Sequence, residues 1–122
     1  MDRPTFESWL DAYKRAWETR DPEAAADLFT ADAAYHETPF GEPARGRDGI
    51  LDYWANATRN QEGIKFSSEV LATTETIGIA RWLSQFTSLT SNSAVELDGI
   101  FLIKLDVVGK CNELREWWHK RE

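Results

Sequence analysis

The chain has 122 residues and a formal net charge of -7, with 21 acidic against 14 basic residues and no cluster of lysine and arginine. That length gives one domain, residues 1–122, around one core, and the charge argues against nucleic acid or an anionic membrane as partner. Cys111 is the only cysteine, which rules out an internal disulfide and a cysteine-based metal motif. With no leader-like start and no apolar run of membrane-spanning length, the expectation is a soluble, cytoplasmic protein.

Six Trp, six Phe and three Tyr are more aromatic mass than a small core needs, and they point to a lined cavity or a buried interface. From Pro4 to Thr19, Phe6, Trp9, Leu10, Tyr13, Ala16 and Trp17 recur at spacings of three and four, which predicts an amphipathic helix. Asp21-Pro22-Glu23 supplies an N-cap and a first-turn proline for a short second helix, with Ala25, Leu28 and Phe29 as its buried stripe. Ala33 to Glu37 reads as a short strand. It runs into Thr38-Pro39-Phe40-Gly41-Glu42-Pro43, a rigid bend expected at the rim of a site. Arg47 to Asn60 is a third helix, facing inward with Ile50, Tyr53, Trp54 and Ala57.

After Gln61-Glu62-Gly63 the apolar period drops to two. Strands are expected around Ile64 to Ala72, over Ile77 to Thr90, over Ala94 to Leu105 and from Cys111 to His119. The fold class is therefore α+β, with helices gathered on one face of a mostly antiparallel sheet. The strand Ala94 to Leu105 is apolar on both faces, so the face away from the helices needs a cover, and a homodimer through that face would supply it.

Tyr13, Asp21-Pro22-Glu23, Ala26-Asp27-Leu28-Phe29, the segment Glu37 to Pro43 with Gly46, Ile50 through Tyr53-Trp54, and the final Leu114 to His119 resemble the nuclear transport factor 2-like superfamily. The similarity is greatest to its SnoaL-like members, a group that includes polyketide cyclases, ketosteroid isomerases, dehydratases, epoxide hydrolases and non-catalytic binding domains. The resemblance implies a cone, a strongly curved sheet wrapped around the three N-terminal helices, with an apolar pocket at its wide end. It also implies an oxyanion-hole tyrosine at Tyr13, pocket aromatics at Phe29 and Trp54, and an oxyanion-hole aspartate at Asp98. The general-base aspartate of the isomerases falls on Thr38, which cannot serve as a carboxylate base.

Among the residues themselves, a turn at Asp106 to Lys110 that pairs Leu105 with Cys111 would set Asp98 and Glu116 on one apolar face. Carboxylates in such a cavity become usable acids or bases near neutral pH. A register slip of one would instead turn the acids to solvent, and pairing with Arg81 or Arg115 would neutralise Glu116. His36 lies on the face opposite Tyr35 and Glu37, and the isomerase match puts His36 inside. Candidate catalytic residues are thus Asp98, Tyr13, His36 and Glu116; Trp17, Phe29, Thr38, Phe40, Trp54, Trp82, Phe86 and Trp118 are candidates for ligand binding. The histidines and acids show no metal-ligand spacing, so no metal or cofactor is expected. The function expected is binding of a small, apolar, carbonyl-bearing molecule, with cofactor-free isomerisation, cyclisation or dehydration by acid–base chemistry. The competing expectation is a non-catalytic ligand-binding or dimerisation module. An epoxide hydrolase using Asp98, Arg81 and Glu116 is a third.

Overall fold

The computed structural model describes residues 1–121. Helix α1 spans Arg3–Glu18 and starts at an N-cap, Asp2, whose carboxylate accepts from the Thr5 amide at 2.8 Å. Its buried residues are the six expected from spacing, Phe6, Trp9, Leu10, Tyr13, Ala16 and Trp17. The polar side of α1 also bonds the sheet edge: Glu18 accepts from the Phe66 amide at 2.8 Å and Lys14 donates to the Phe66 carbonyl at 2.7 Å. These two side chains cover backbone groups that an edge strand would leave open.

Helix α2, Pro22–Ala26, is shorter than the spacing suggests. The Leu28 carbonyl accepts from the Cys111 amide at 2.8 Å and from the Trp9 indole at 3.1 Å, which draws the chain into the sheet. Phe29 therefore opens β1, Phe29–His36, instead of closing a helix. A two-residue strand β2, Ala44–Arg45, not foreseen in the sequence, pairs antiparallel with Ala34 and Tyr35. Helix α3 then runs Gly46–Arg59, and Arg47 ties it to α2 through Glu23 at 2.9 Å and Asp27 at 2.6 Å.

Strands β3 (Gln61–Thr73), β4 (Ile77–Ser88), β5 (Ser93–Leu105) and β6 (Cys111–Arg121) form the antiparallel meander. The six-stranded order is β2-β1-β6-β5-β4-β3, with β1 and β6 parallel, giving the expected α+β sheet with three helices. Leu105 does pair with Cys111, but the register shifts at once, and Lys104 pairs with Glu113. Asn112 is the extra residue of this bulge, and it reverses the phase of the hairpin. Ile103, Phe101 and Gly99, not Leu102, Ile100 and Asp98, therefore share the inner face with Leu114, Glu116 and Trp118.

Close approach fixes one inner position. A Cβ on Gly99 would lie 2.7 Å from the Trp82 indole and 2.8 Å from the Trp117 carbonyl. Trp82 can lie flat along β5 only because that side chain is absent.

Candidate functional site

Between α1, α3 and the inner sheet face lies a cavity of about 450 Å³. Its apolar walls come from Trp17, Trp54, Trp82, Phe86, Val95 and Trp118, and its polar groups include Asn56 and Gln61. The Trp17 indole donates to Gln61 Oε1 at 2.7 Å, and Trp82 stacks on Phe66 and Phe101 at centroid distances of 6.1 and 5.2 Å, so these walls are held in place. Among the described residues the indole N–H groups of Trp54 and Trp82 are buried without a hydrogen-bond partner, an uncommon state for buried donors.

Three elements deliver a hydrogen-bonded chain to this cavity. Tyr13 on α1 and Tyr35 on β1 have hydroxyls 3.1 Å apart, and the Tyr35 hydroxyl donates to Glu116 Oε1 on β6 at 3.2 Å. Because a tyrosine has one proton and Tyr35 gives its own to Glu116, Tyr13 is the donor to Tyr35. Tyr53 on α3 packs its ring 4.9 Å from Tyr35. Glu116 is only 5 % exposed, and its hydrogen bond comes from Tyr35 with no basic group beside it among the described residues.

Burial pushes the Glu116 carboxyl well above the usual carboxylate range; the Tyr35 hydrogen bond opposes this, and the nearby charge of Glu37 adds to it. The group is thus suited to stay a neutral acid and present its own proton to a ligand. Burial, reinforced by Glu116, also holds the hydroxyls of Tyr13, Tyr35 and Tyr53 protonated, well above the usual range. Glu37, which also lines the cavity, is raised by burial alone.

A family described as the SnoaL-like domain matches residues 10–114. The chain belongs to this SnoaL-like family. Solved structures agree in fold at low identity. The epoxide hydrolase/cyclase-like enzyme SalBIII, which acts in pyran ring formation in the polyether salinomycin, superposes with a TM-score of 0.84 at 16 % identity, over 97 % of this chain and 93 % of that one. A proposed scytalone dehydratase from Novosphingobium aromaticivorans gives 0.83 at 17 % identity, over 97 % and 85 %. A protein of ketosteroid isomerase-like fold from Catenulispora acidiphila gives 0.80 at 15 % identity, over 89 % and 83 %. Comparison with curated protein sequences finds no match.

Within this SnoaL-like domain, Tyr13, Trp17, Trp54, Trp82, Phe86, Glu116 and Trp118 all border the cavity. Phe29 is core, packed edge-on against Trp9 and beside Tyr35. Asp98 is on the outer face, the consequence of the bulge at Asn112, and both its oxygens accept from Arg81, at 3.2 and 2.7 Å. That hydrogen-bonded guanidinium lowers the Asp98 pKa, the opposite of a cavity acid. With Arg81 and Asp98 outside and Glu116 inside, the acid-arginine-acid arrangement of an epoxide hydrolase does not form. His36 also faces outward, paired in register with Arg115; burial first, then that arginine, lowers its pKa. Thr38 receives a hydrogen bond from the Gly41 amide in the bend, and Phe40 at the bend's tip is 99 % exposed, so neither borders the cavity.

Two cavity residues missed in sequence are Tyr35 and Glu37. Ala33 and Tyr35 are the buried positions of β1, and Glu37, in the bend just past the strand, continues on the cavity side. A direct consequence is that Asp98→Asn should leave ligand affinity at the cavity unchanged and shift the thermal midpoint little, since the Arg81 pair is exposed. A large loss of affinity in that variant would contradict the placement of the two faces.

No helix among the described residues is long and apolar enough to cross a membrane. No group of three or more His, Cys, Asp or Glu among them is arranged to hold a metal ion.

Proposed function

We propose that this SnoaL-like domain binds a small apolar molecule bearing a carbonyl group and converts it by acid–base chemistry without a cofactor, as an isomerase, cyclase or dehydratase. The observation that carries this reading is Glu116, a buried carboxyl with only tyrosine hydroxyl support, at the wall of an open aromatic cavity. A neutral carboxylic acid there donates a hydrogen bond to the ligand oxygen, and negative charge that develops on that oxygen strengthens the bond. Tyr35 and Tyr13 orient the carboxyl, and the Trp side chains supply apolar contact area. The open cavity argues against a filled, purely dimerising module. Asp98 paired with Arg81 is what a non-catalytic ligand-binding module would show, so turnover of a bound ketone separates the two readings.

Titration with 2-tetralone, a compact aromatic ketone, tests the binding half of the reading. Four tryptophans border the cavity, so occupancy should quench their emission in a saturable way, and Glu116→Ala should weaken the affinity about tenfold or more, the loss of a hydrogen bond to a buried polar group. Quenching that does not saturate, or that is identical in Glu116→Ala, would count against the site.

The outer face of the sheet supports a homodimer as part of the same reading. Leu83 is 42 % and Trp117 46 % exposed there, beside half-buried Ile100 and Leu102. Sedimentation should give a dimer mass that Trp117→Glu converts to a monomer; a monomeric native chain would contradict this. A cytoplasmic location is part of the proposal and rests on the lone, buried Cys111.

A further inference from the structure

Two carboxyls, not one, open onto the cavity: Glu116 on β6 and Glu37, the first residue after β1. Strands β1 and β6 run parallel with Tyr35 opposite Leu114 and His36 opposite Arg115. Glu37 follows His36 directly at the start of the bend, as Glu116 follows Arg115 on β6, and its charge acts on Glu116. Neighbouring parallel strands lie about 4.8 Å apart, and the last such pair, His36 with Arg115, comes one residue before both glutamates. Both glutamates border the same cavity, and Glu37 is half-buried, without a basic partner among the described residues. The Trp118 indole donates to the Glu37 backbone carbonyl at 3.0 Å, which ties the residue after β1 to β6.

We infer that Glu37 and Glu116 work as a carboxyl pair sharing one proton, with Glu37 the base that removes a proton from the carbon beside the ligand's carbonyl and Glu116 the acid that protonates the carbonyl oxygen. This rests on the cavity reading above and adds to it a second catalytic residue and a substrate class: carbonyl compounds whose acidic α-proton and oxygen are presented to one wall. In the step, the α-proton goes to Glu37 and the C–H electron pair becomes the C=C bond of an enol. The C=O π pair takes the proton of Glu116. Glu37 ends protonated and Glu116 ionised, so the pair holds one proton before and after, and no oxidant, reductant or outside proton is consumed. Two adjacent carboxyls in an apolar cavity cannot both ionise readily, which is why one proton is retained near neutral pH.

The other titratable groups facing the pair are Tyr13 from α1, Tyr35 from β1, Tyr53 from α3 and Lys120 further along β6. The three tyrosine hydroxyls remain protonated through the neutral range. Strands β4 and β5 present Trp82, Phe86, Val95 and Leu97 to the cavity, none of which titrates.

The test has two readouts. In protein carrying ¹³C-carboxyl glutamate, the Glu116 resonance is identified by its loss in Glu116→Gln and followed against pH in the native chain and in Glu37→Gln. Removing the neighbouring charge should move the Glu116 midpoint down. In D₂O, the native chain should catalyse exchange of the α-hydrogens of 2-tetralone, and Glu37→Gln should slow that exchange about 100-fold or more, the range of a general base. An unmoved Glu116 midpoint, or unchanged exchange in Glu37→Gln, would overturn the pair. Because the titration needs no ligand, it decides the pair even if 2-tetralone fails to quench tryptophan emission, a failure that would count against the cavity reading instead.

Discussion

Replacing Glu116 with glutamine is expected to make the protein more stable than the native chain, by a margin that grows as the pH rises. The sign follows from linkage. Burial raises the folded-state pKa of Glu116 well above that of an unfolded glutamate, so the folded state holds a proton that the unfolded state has released. Any stability tied to that proton is complete below the unfolded value of about 4.3 and is lost as the pH climbs toward the raised folded value, by about 1.4 kcal/mol per pH unit. Glutamine keeps the volume and can accept from Tyr35, but it has nothing to ionise. Chemical denaturation of both proteins from acidic to neutral pH should give curves that meet at the acid end and diverge upward. Parallel curves would mean that Glu116 titrates as an ordinary surface carboxylate. The same variant should lose catalysis by about 100-fold or more once a turned-over ketone is in hand, so the more stable protein is the less active one.

The second large effect is expected at Gly99. Alanine there meets the Trp82 indole at 2.7 Å and the Trp117 carbonyl at 2.8 Å. The indole cannot retreat without disturbing its stacks on Phe66 and Phe101, and the carbonyl is part of the β5–β6 ladder. Overpacking of this kind costs about 3 kcal/mol, which in a domain of this size lowers the thermal midpoint by roughly 10 °C. Trp82 also walls the cavity, so Gly99→Ala should weaken ketone binding as well. A variant with native midpoint and native affinity would show that the indole has free room that the packing denies it.

The contrast between helix α1 and the β5–β6 hairpin explains what the sequence could disclose. All six inward residues of α1 follow from a period of 3.6 read over sixteen residues, a signal too long to be reversed by one position. A strand has a period of two, and one additional residue inverts it. Asn112 is that residue, and nothing in Asp106-Val107-Val108-Gly109-Lys110-Cys111-Asn112 marks it as a bulge. The inner face of β6 was legible because Leu114, Glu116 and Trp118 follow the bulge together. Asp98 precedes it across the ladder and was carried to the wrong side.

Strand β1 posed a different problem. His36 and the Tyr35/Glu37 set are both chemically plausible inward groups, and the isomerase alignment at Thr38 favoured His36. Packing decides otherwise: the Tyr35 ring fits among Phe29, Tyr53 and Trp54, whereas His36 has Arg115 beside it on the outer face. The bend after Glu37 was legible as a bend, but its outward direction was not. Phe40 therefore points to solvent although its residue type suits a pocket wall.

The proposed chemistry requires Glu116 to be a protonated acid at the wall of the cavity. Its most direct test is the infrared difference spectrum between the native chain and Glu116→Gln at neutral pH. A protonated-carboxyl C=O band is expected in the native spectrum, absent from the variant and shifted by 2-tetralone on binding. A difference spectrum with only carboxylate bands would contradict it.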